Sequence, residues 1–368
     1  MRSKRCAVVL AAMVGALLLS GEASWARSPT PEYRAVSSAS TLGSRLLEGS
    51  APTFDDVSCS SAMVCTAVGG SWEYSPAIFR TTDGGDTWSS QDAPGGMPWI
   101  TSVSCPTTTF CAAQGDVGAV QNYDYLNIAA TMDGGAAWTG PTIFVVNGSA
   151  GPLGCASASR CYELGGTGYL ERSTDGGSAW KVLYADQWSS VDDITCLYES
   201  RCLVVGESAR SSLVFGKLVG FGARISGVTS VPDIHGHNHL RISCATPTWC
   251  SVIDYHDIGG AFLTTSDGGS RWVARALPFA RADVRGFACP RPGACIALVV
   301  TRSAKGVATT RILSTRSDGA RWSAYPTSEP LLASLSCGSS TSCVAVGFDG
   351  SVVVSLDAGT SWVNSGTI

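Results

Sequence analysis

Short runs in which apolar and polar residues alternate recur along the chain from about residue 50 to the C-terminus. ITSVSC (100–105) and LASLSC (332–337) are two examples, and each ends on a cysteine. After five residues a second run follows that begins with a cysteine, such as CVAVGF (343–348). A period of two is typical of β-strands, so each pair of runs predicts a β-hairpin that carries a cysteine on both strands.

This hairpin occurs seven times, always with the spacing C-x5-C. The first cysteines of successive copies are 46, 50, 41, 48, 45 and 48 residues apart, which is close to the period of a four-stranded β-propeller blade. The seven pairs are Cys59/Cys65, Cys105/Cys111, Cys155/Cys161, Cys196/Cys202, Cys244/Cys250, Cys289/Cys295 and Cys337/Cys343.

The two cysteines of one hairpin can face each other across it. We therefore expect each cysteine to pair with its near neighbour, although the spacing alone leaves other connectivities open. Closing so short a loop stabilises the fold by roughly 2–3 kcal/mol in the chain-entropy model. Metal binding by these pairs is disfavoured, because zinc knuckles use spacings of about two to four residues.

A second phrase follows most of the cysteine pairs. It reads TTDGGDTW (81–88), TMDGGAAW (131–138), STDGGSAW (173–180), TSDGGSRW (265–272) and SLDAGTSW (355–362). A sixth copy, RSDGARW (316–322), is read as one residue short, and the fourth unit has none. The aspartate can accept hydrogen bonds from the turn, the glycines supply positive φ, and the tryptophan can be buried between neighbouring sheets.

The phrase resembles the Asp-box, or BNR repeat, of sialidases, xyloglucanases and the assembly-factor propellers of photosystem II. The resemblance implies that the aspartates hold a structural turn remote from any active site, so they are left out of the candidate site. Together with the period it predicts an all-β protein with one seven-bladed β-propeller over residues 50–368. Each of its four-stranded blades would carry one C-x5-C disulfide hairpin.

The N-terminal part of the chain is typical of an exported protein. Three basic residues precede an apolar run over 7–19, and small residues lead up to Ala26, so residues 1–26 are interpreted as a signal peptide. Residues 27–49 are interpreted as a linker or closing segment. Removal of Cys6 leaves fourteen cysteines for the oxidising space outside the cell or at the exterior of the cell envelope.

Composition excludes several partners. No later segment approaches the length of apolar sequence that spans a membrane. The net charge of −4, with only 15% charged residues, provides no basic stripe for nucleic acid. We therefore expect a soluble monomer whose partner is a glycan or an extracellular protein.

The four histidines of the chain are His235, His237, His239 and His256. On a propeller they fall at the start of the inner strand of blade five and in the next loop, on the face opposite the Asp-boxes. In an extended strand His235 and His239 stand roughly 13 Å apart, so at most two of the first three share one ion unless Gly236 bends the chain.

Three uses of these histidines stay open. A zinc or copper site would be formed by His237, His239 and His256 with a carboxylate such as Asp254, Asp257 or Asp233. The second possible use is a polar rim that binds a ligand without metal. The third is a loop in which the histidines only form hydrogen bonds within the protein. His239 is interpreted as packed in this last case, because the equivalent positions are apolar: Phe54, Ile100, Val191, Val284 and Leu332.

Residues three positions before the first cysteine of each pair are predicted to line the central channel. They include Asp193 and Arg241, in adjacent blades, which could form an ion pair or hold an acidic ligand. The candidate catalytic residues are His235, His237, His256, Asp193 and Arg241. The candidate ligand-binding residues are Tyr123, Tyr125, Asp254 and Asp257; the two tyrosines are placed in a long loop of blade two.

Two functional hypotheses follow. The first is a binding protein or scaffold that presents the face opposite the Asp-boxes to a glycan or a protein. The second is a carbohydrate-active enzyme, either a glycoside hydrolase with two carboxyl groups or a polysaccharide lyase with His and Tyr as acid and base. Sialidase activity is disfavoured, because the Arg-Ile-Pro motif of that family is absent.

Overall fold

The structure, a computed structural model, describes one all-β unit. All described residues lie within the compact unit Glu48–Ile368. They are 52–70, 75–120, 123–146, 150–165, 169–184, 188–197, 201–208, 212–219, 226–231, 239–256, 259–278, 282–302, 308–326 and 331–368. The predicted signal peptide (1–26) and linker (27–49) lie outside these residues and stay predictions. Within the described ranges there is no helix that could span a membrane.

Twenty-eight strands are arranged in seven sheets of four. Blade 1 comprises β1 (Thr53–Cys59), β2 (Cys65–Gly70), β3 (Pro76–Thr81) and β4 (Ser89–Ser90). Blade 2 comprises β5 (Ile100–Ser104), β6 (Cys111–Val120), β7 (Tyr123–Thr131) and β8 (Thr142–Val146). Blade 3 comprises β9 (Ala150–Cys155), β10 (Cys161–Gly165), β11 (Tyr169–Ser173) and β12 (Trp180–Tyr184). Blade 4 comprises β13 (Trp188–Leu197), β14 (Arg201–Ser208), β15 (Leu213–Val219) and β16 (Ser226–Val231).

The remaining three blades have the same order. Blade 5 comprises β17 (His239–Cys244), β18 (Cys250–His256), β19 (Gly259–Thr265) and β20 (Val273–Ala276). Blade 6 comprises β21 (Ala282–Arg291), β22 (Ala294–Arg302), β23 (Ala308–Thr315) and β24 (Trp322–Pro326). Blade 7 comprises β25 (Leu332–Cys337), β26 (Cys343–Gly347), β27 (Ser351–Ser355) and β28 (Val363–Thr367).

Each blade is an antiparallel meander in chain order, and the first strands of successive blades contact one another around a central channel. Seven disulfides join the near neighbours of every C-x5-C pair. The predicted fold class, a single seven-bladed β-propeller of four-stranded blades with a disulfide hairpin in each, is therefore confirmed.

Blade 6 keeps its disulfide although its hairpin is irregular. The pairing of β21 with β22 shifts between Ala288 and Arg291, so Cys289 and Cys295 are not direct cross-strand partners as the cysteines of blade 5 are. The two sulfurs are nevertheless bonded, with the Cα atoms 4.0 Å apart. The bridge therefore tolerates a local change of register.

The Asp–Gly turns, as we call the turns between the third and fourth strands, are held by hydrogen bonds to the aspartate. In blade 5 the carboxylate of Asp267 accepts hydrogen bonds from the hydroxyl of Thr265 and the backbone N–H of Arg271, both at 2.9 Å. These bonds lower the pKa of Asp267, with the Arg271 N–H as the main cause. Gly268 and Gly269 have φ of 71° and 84°, a conformation that glycine adopts without strain.

The sixth Asp–Gly turn is not one residue short, and that expectation is wrong. Ser317 stands where the other turns have aspartate, and its hydroxyl accepts the N–H of Arg321 at 3.0 Å. Asp318 takes the place of the first glycine, with φ of 52°. Aspartate tolerates this left-handed conformation better than most residues, so the turn keeps its length.

The Asp–Gly turns and the cysteine hairpins share one face of the propeller. The N–H of Gly84 donates to the carbonyl of Met63 at 2.9 Å, and that of Gly268 donates to Thr248 at 2.8 Å. The same contact occurs in all six blades that have the turn. The opposite face, formed by the other connections, is called the funnel face below.

The tryptophan that ends each Asp–Gly turn packs against the preceding blade. Trp272 stacks on Phe215 of blade 4 with ring centroids 4.0 Å apart, and Trp322 meets Phe262 of blade 5 edge-on at 5.3 Å. Blade 4 lacks the phrase and so has no such tryptophan. Its contact with blade 3 is filled by other buried side chains, among them Tyr162 and Leu218.

The ring closes without exchange of strands, because every blade is built from one continuous stretch of chain. Instead, side chains of blades 1 and 7 contact each other. The carboxylate of Asp56 accepts a hydrogen bond from Ser334 at 2.7 Å, and the hydroxyl of Ser336 accepts the N–H of Cys59 at 3.0 Å. Phe54 also packs into a buried cluster that includes residues of blade 7.

Candidate functional site

The histidine cluster cannot be placed as a whole. Asp233, His235, His237 and Asp257 lie outside the described residues. His239 begins β17 and pairs with Tyr255, while His256 ends β18 and pairs with Gly259, so both backbones lie at the funnel-face end of blade 5. Among the described residues, no group of three or more His, Cys, Asp and Glu side chains could hold a metal ion. The zinc or copper site therefore stays a prediction.

The other predicted ligand-binding residues lie in strands. Tyr123 and Tyr125 belong to β7, because β6 and β7 extend as a long hairpin into the stretch that was expected to form a loop. Asp254 pairs with Leu240 within blade 5 and is fully buried. A ligand on the funnel face does not reach its side chain in this structure.

All fourteen cysteines of the hairpins form disulfides. The second cysteine of every pair is at most 2% exposed, because it lies at or next to the start of a strand that neighbouring blades cover on both sides. These residues are Cys65, Cys111, Cys161, Cys202, Cys250, Cys295 and Cys343. Since each is also bonded to its neighbour, a ligand reaches none of these sulfurs.

Asp193 and Arg241 do come together, at the funnel-face end of the central channel. A cavity of about 420 Å³ opens there, which we call the channel mouth. All seven residues that precede the first cysteine of a pair by three positions line it, as strand alternation predicts: Asp56, Ser102, Pro152, Asp193, Arg241, Gly286 and Ser334.

Further charged residues reach the channel mouth through β-bulges. In every blade except the fifth, the pairing of the first two strands shifts by one residue near this end. A bulge turns two consecutive residues towards the same side. Asp55 and Arg285 thereby line the mouth together with Asp56 and Gly286. Strict alternation assigns Asp55 and Arg285 to the other face, so sequence reasoning missed them.

A glycine opposite the bulge is a signal that could have revealed Asp55, whereas blade 6 has Val299 at this position and gives no such signal for Arg285. A Cβ on Gly69, Gly115 or Gly206 would lie 1.9, 2.4 or 2.2 Å from a backbone carbonyl oxygen in, or directly before, the first strand of its blade. These glycines all stand four residues after the second cysteine of their pair. Blade 5, which has no bulge in its first strand, carries Asp254 at this position.

Substitution of Gly115 by alanine is therefore expected to lower the free energy of unfolding by about 2 kcal/mol, the usual cost of overpacking. The new Cβ meets the carbonyl oxygen of Trp99 and forces the bulge to move. Thermal or urea unfolding measures the loss. Gly140→Ala is the matched control, since nothing lies within 4 Å of its Cβ. Equal stability of the two variants would contradict the role given to the bulge.

Burial shifts the acid–base behaviour of the channel mouth. It raises the pKa of Asp193 to about 6, against the opposing effects of the Arg241 charge and of the Ile242 N–H, which donates to the carboxylate at 2.7 Å. Burial likewise raises the pKa of Asp55 to about 6, although the indole N–H of Trp99 donates to this carboxylate and opposes the shift. Both carboxylates are therefore ionised at pH 7.5 and mostly protonated at pH 5.

Asp56 differs from these two because neighbouring blades use both of its oxygens. One oxygen accepts the N–H of Val57 at 2.9 Å and the hydroxyl of Ser334 at 2.7 Å. The other accepts the N–H of Val103 at 2.9 Å and the hydroxyl of Ser102 at 3.2 Å. Burial raises the pKa of Asp56, and these four hydrogen bonds oppose the shift. Asp56 is thus a structural residue that joins blades 7, 1 and 2.

The opposite end of the channel is uncharged. Its cavity of about 330 Å³ is lined by the residues next to the first cysteines, and none of the described residues that line it is acidic or basic. Several serines there accept the backbone N–H of the next blade, for example Ser58 from Cys105 at 3.0 Å and Ser104 from Cys155 at 2.9 Å. The channel therefore carries its charge at the mouth, on the funnel face.

Fold and site together define a seven-bladed β-propeller with a charged channel mouth. No protein-family model matches the sequence, and no curated protein matches it either. The fold is shared with solved structures of low sequence identity, which show the architecture alone.

Three of these structures illustrate the likeness. YCF48 bound to D1 peptide is 15% identical with a TM-score of 0.56, and the alignment covers 84% of this chain and 94% of that one. YCF48 from Cyanidioschyzon merolae is 13% identical with a TM-score of 0.59, covering 85% and 97%. The GH74 xyloglucanase from Xanthomonas campestris is 11% identical with a TM-score of 0.60, covering 84% of this chain and 52% of the enzyme.

Proposed function

We propose that the protein binds an extracellular partner through the channel mouth on the funnel face. The observation that carries this proposal is that carboxylates and guanidinium groups from different blades line one cavity. They stand on inner strands that neighbouring blades hold on both sides, so the charges are arranged before a ligand arrives. Such preorganisation lowers the cost of binding.

A protein segment with charged side chains fits this site best. The mouth presents Asp55 and Asp193 together with Arg241 and Arg285, so it offers complementary charge to both basic and acidic groups. Arg285 also pairs with Asp283 at 2.7 Å, but both side chains are exposed and such surface pairs exchange readily with a ligand. The structure of YCF48 with a D1 peptide supports a peptide ligand for a propeller of this fold.

A glycan is the alternative ligand, and the observation that favours it is Trp99. Its half-buried ring lies over Gly70 and donates its indole N–H to Asp55. An aromatic face beside a carboxylate is suited to stacking on a sugar ring and accepting its hydroxyl groups. The expected similarity to Asp-box proteins, some of which act on glycans, also favours a glycan ligand.

A glycoside hydrolase is the second candidate function. The raised pKa of Asp55 and of Asp193, each about 6, lies in the range of a general acid. The test is whether the protein releases reducing sugar from xyloglucan or a related polysaccharide. If it does, and if Asp193→Asn abolishes the release, the hydrolase function replaces the binding proposal.

The binding proposal predicts a pH-dependent interaction with basic groups. On arrays of peptides and glycans, we expect lysine- or arginine-containing ligands to bind about tenfold more weakly at pH 5 than at pH 7.5, because Asp55 and Asp193 take up protons in between. The double variant Asp55→Asn/Asp193→Asn should bind weakly at both pH values. Asp92→Asn, an exposed carboxylate outside the mouth, is the control. Binding that neither pH nor the double variant changes would refute the proposal.

A further inference from the structure

Three buried polar side chains meet between blades 2 and 3, beside Gly151, which also lines the channel mouth. Gln114 and Glu163 are 0% exposed and Glu171 is 6% exposed. We call them the Glu–Glu–Gln cluster. Carboxyl groups are almost never this deeply buried unless they are paired, bind a metal or stay neutral. Burial, with the nearby Glu171 as a smaller cause, raises the pKa of Glu163 to about 8, and burial raises the pKa of Glu171 to about 7.

The strand register places all three side chains in the same interface. Ala112 and Cys161 belong to one buried cluster shared by blades 2 and 3. Gln114 follows Ala112 by two residues in β6, and Glu163 follows Cys161 by two residues in β10, so each shares the face of its neighbour. Glu171 in β11 is the direct cross-strand partner of Glu163.

The backbone of Gly151 brings Gln114 and Glu163 close together. The amide nitrogen of Gln114 donates to the carbonyl of Gly151 at 2.9 Å, and the N–H of Gly151 donates to Oε1 of Glu163 at 3.4 Å. The remaining oxygens have no hydrogen-bond partner among the described residues: Oε1 of Gln114, Oε2 of Glu163 and Oε2 of Glu171. The contacts to Gly151 and the pairing of Glu171 with Glu163 therefore place the three unpartnered acceptors in the same interface.

We propose that the Glu–Glu–Gln cluster binds a calcium ion between blades 2 and 3. Such an ion would be bound by all three unpartnered oxygens and would neutralise both carboxylates at once. Because the cluster holds two carboxylates and one amide, it is consistent with the finding that no three described His, Cys, Asp or Glu side chains could hold a metal ion together. Binding of this ion would not require a partner at the channel mouth.

The chemistry of the ligands selects the ion. All three unpartnered atoms are oxygens, which favours hard cations such as Ca²⁺ and Mg²⁺ over zinc or copper. Calcium accepts irregular geometry and mixed carboxylate and amide ligands at about 2.3–2.6 Å, whereas magnesium demands a near-ideal octahedron. Ligands held on two separate sheets suit the more tolerant ion.

The test is direct binding of calcium to the whole protein. After treatment with a chelator, equilibrium dialysis against calcium chloride is expected to show one ion bound per chain. Calcium at about 100 times its Kd should raise the Tm by about 5 °C. Magnesium chloride at the same concentration should give a smaller shift.

Variants separate the site from non-specific binding. Glu163→Gln/Glu171→Gln should bind no ion and show no calcium-dependent shift in Tm, while its neutral side chains preserve the packing. Gln114→Leu should weaken binding about tenfold. Asp92→Asn should behave as the wild type. The proposal fails if the wild type retains no calcium, or if the double variant retains as much as the wild type.

Discussion

Reduction of the seven disulfides is expected to unfold the protein at 37 °C. Each bridge closes a loop between cysteines six residues apart. In the chain-entropy model a loop of this size contributes about 2 kcal/mol, so seven of them contribute on the order of 15 kcal/mol. This sum is as large as the whole net stability of an ordinary domain, which is about 5–15 kcal/mol.

Thermal unfolding followed by circular dichroism, with and without a phosphine reductant, measures this effect. Mass spectrometry after thiol alkylation confirms that all seven bridges are open. The control is Cys105→Ser/Cys111→Ser under oxidising conditions, which should lose only about 2 kcal/mol. A fully reduced protein that still unfolds cooperatively within a few degrees of the oxidised Tm would show that packing between blades is sufficient.

Replacement of Asp56 by asparagine is expected to lower the free energy of unfolding by about 3–4 kcal/mol. Each carboxylate oxygen of Asp56 accepts one backbone N–H, that of Val57 or that of Val103. Either orientation of the asparagine amide therefore points its NH₂ group at a backbone donor. The substitution also weakens the hydrogen bond to Ser334, which joins blade 7 to blade 1.

Urea unfolding measures this loss. Asp283→Asn is the matched control, because its carboxylate forms only an exposed ion pair with Arg285 and should cost less than about 1 kcal/mol. Limited proteolysis adds a second readout, since weakened closure should expose blades 1 and 7 first. If Asp56→Asn stays within about 1 kcal/mol of the wild type, closure of the ring does not depend on this residue.

Much of the fold was predictable because its signals are local and repeated. The alternation in ITSVSC and the fixed C-x5-C spacing concern residues within one hairpin, and seven copies in phase leave little room for another architecture. The shortened sixth turn was misread because Asp318 imitates the aspartate of the other copies. In the structure Ser317 takes that role, through its hydrogen bond to the N–H of Arg321.

The candidate site was predictable only in part. Strand alternation correctly placed Asp193 and Arg241 at the channel mouth. It failed for Asp55 and Arg285, because a bulge breaks the period of two on which the argument rests. It also missed Glu163, since a polar residue that alternates with apolar ones suggests an exposed face. In a propeller both faces of a blade are covered by its neighbours.

The chain itself therefore specifies the strands, most of the turns and the number of blades, and it favours pairing of each cysteine with its near neighbour, because all of these depend on residues close together in sequence. Ring closure, the mixed charge of the channel mouth and the burial of the Glu–Glu–Gln cluster arise only when blades assemble. The bond between Ser336 and Cys59, for example, joins residues 277 positions apart. No pattern within a single hairpin encodes a contact of that range, so the tertiary structure alone decides which polar groups meet and which are buried.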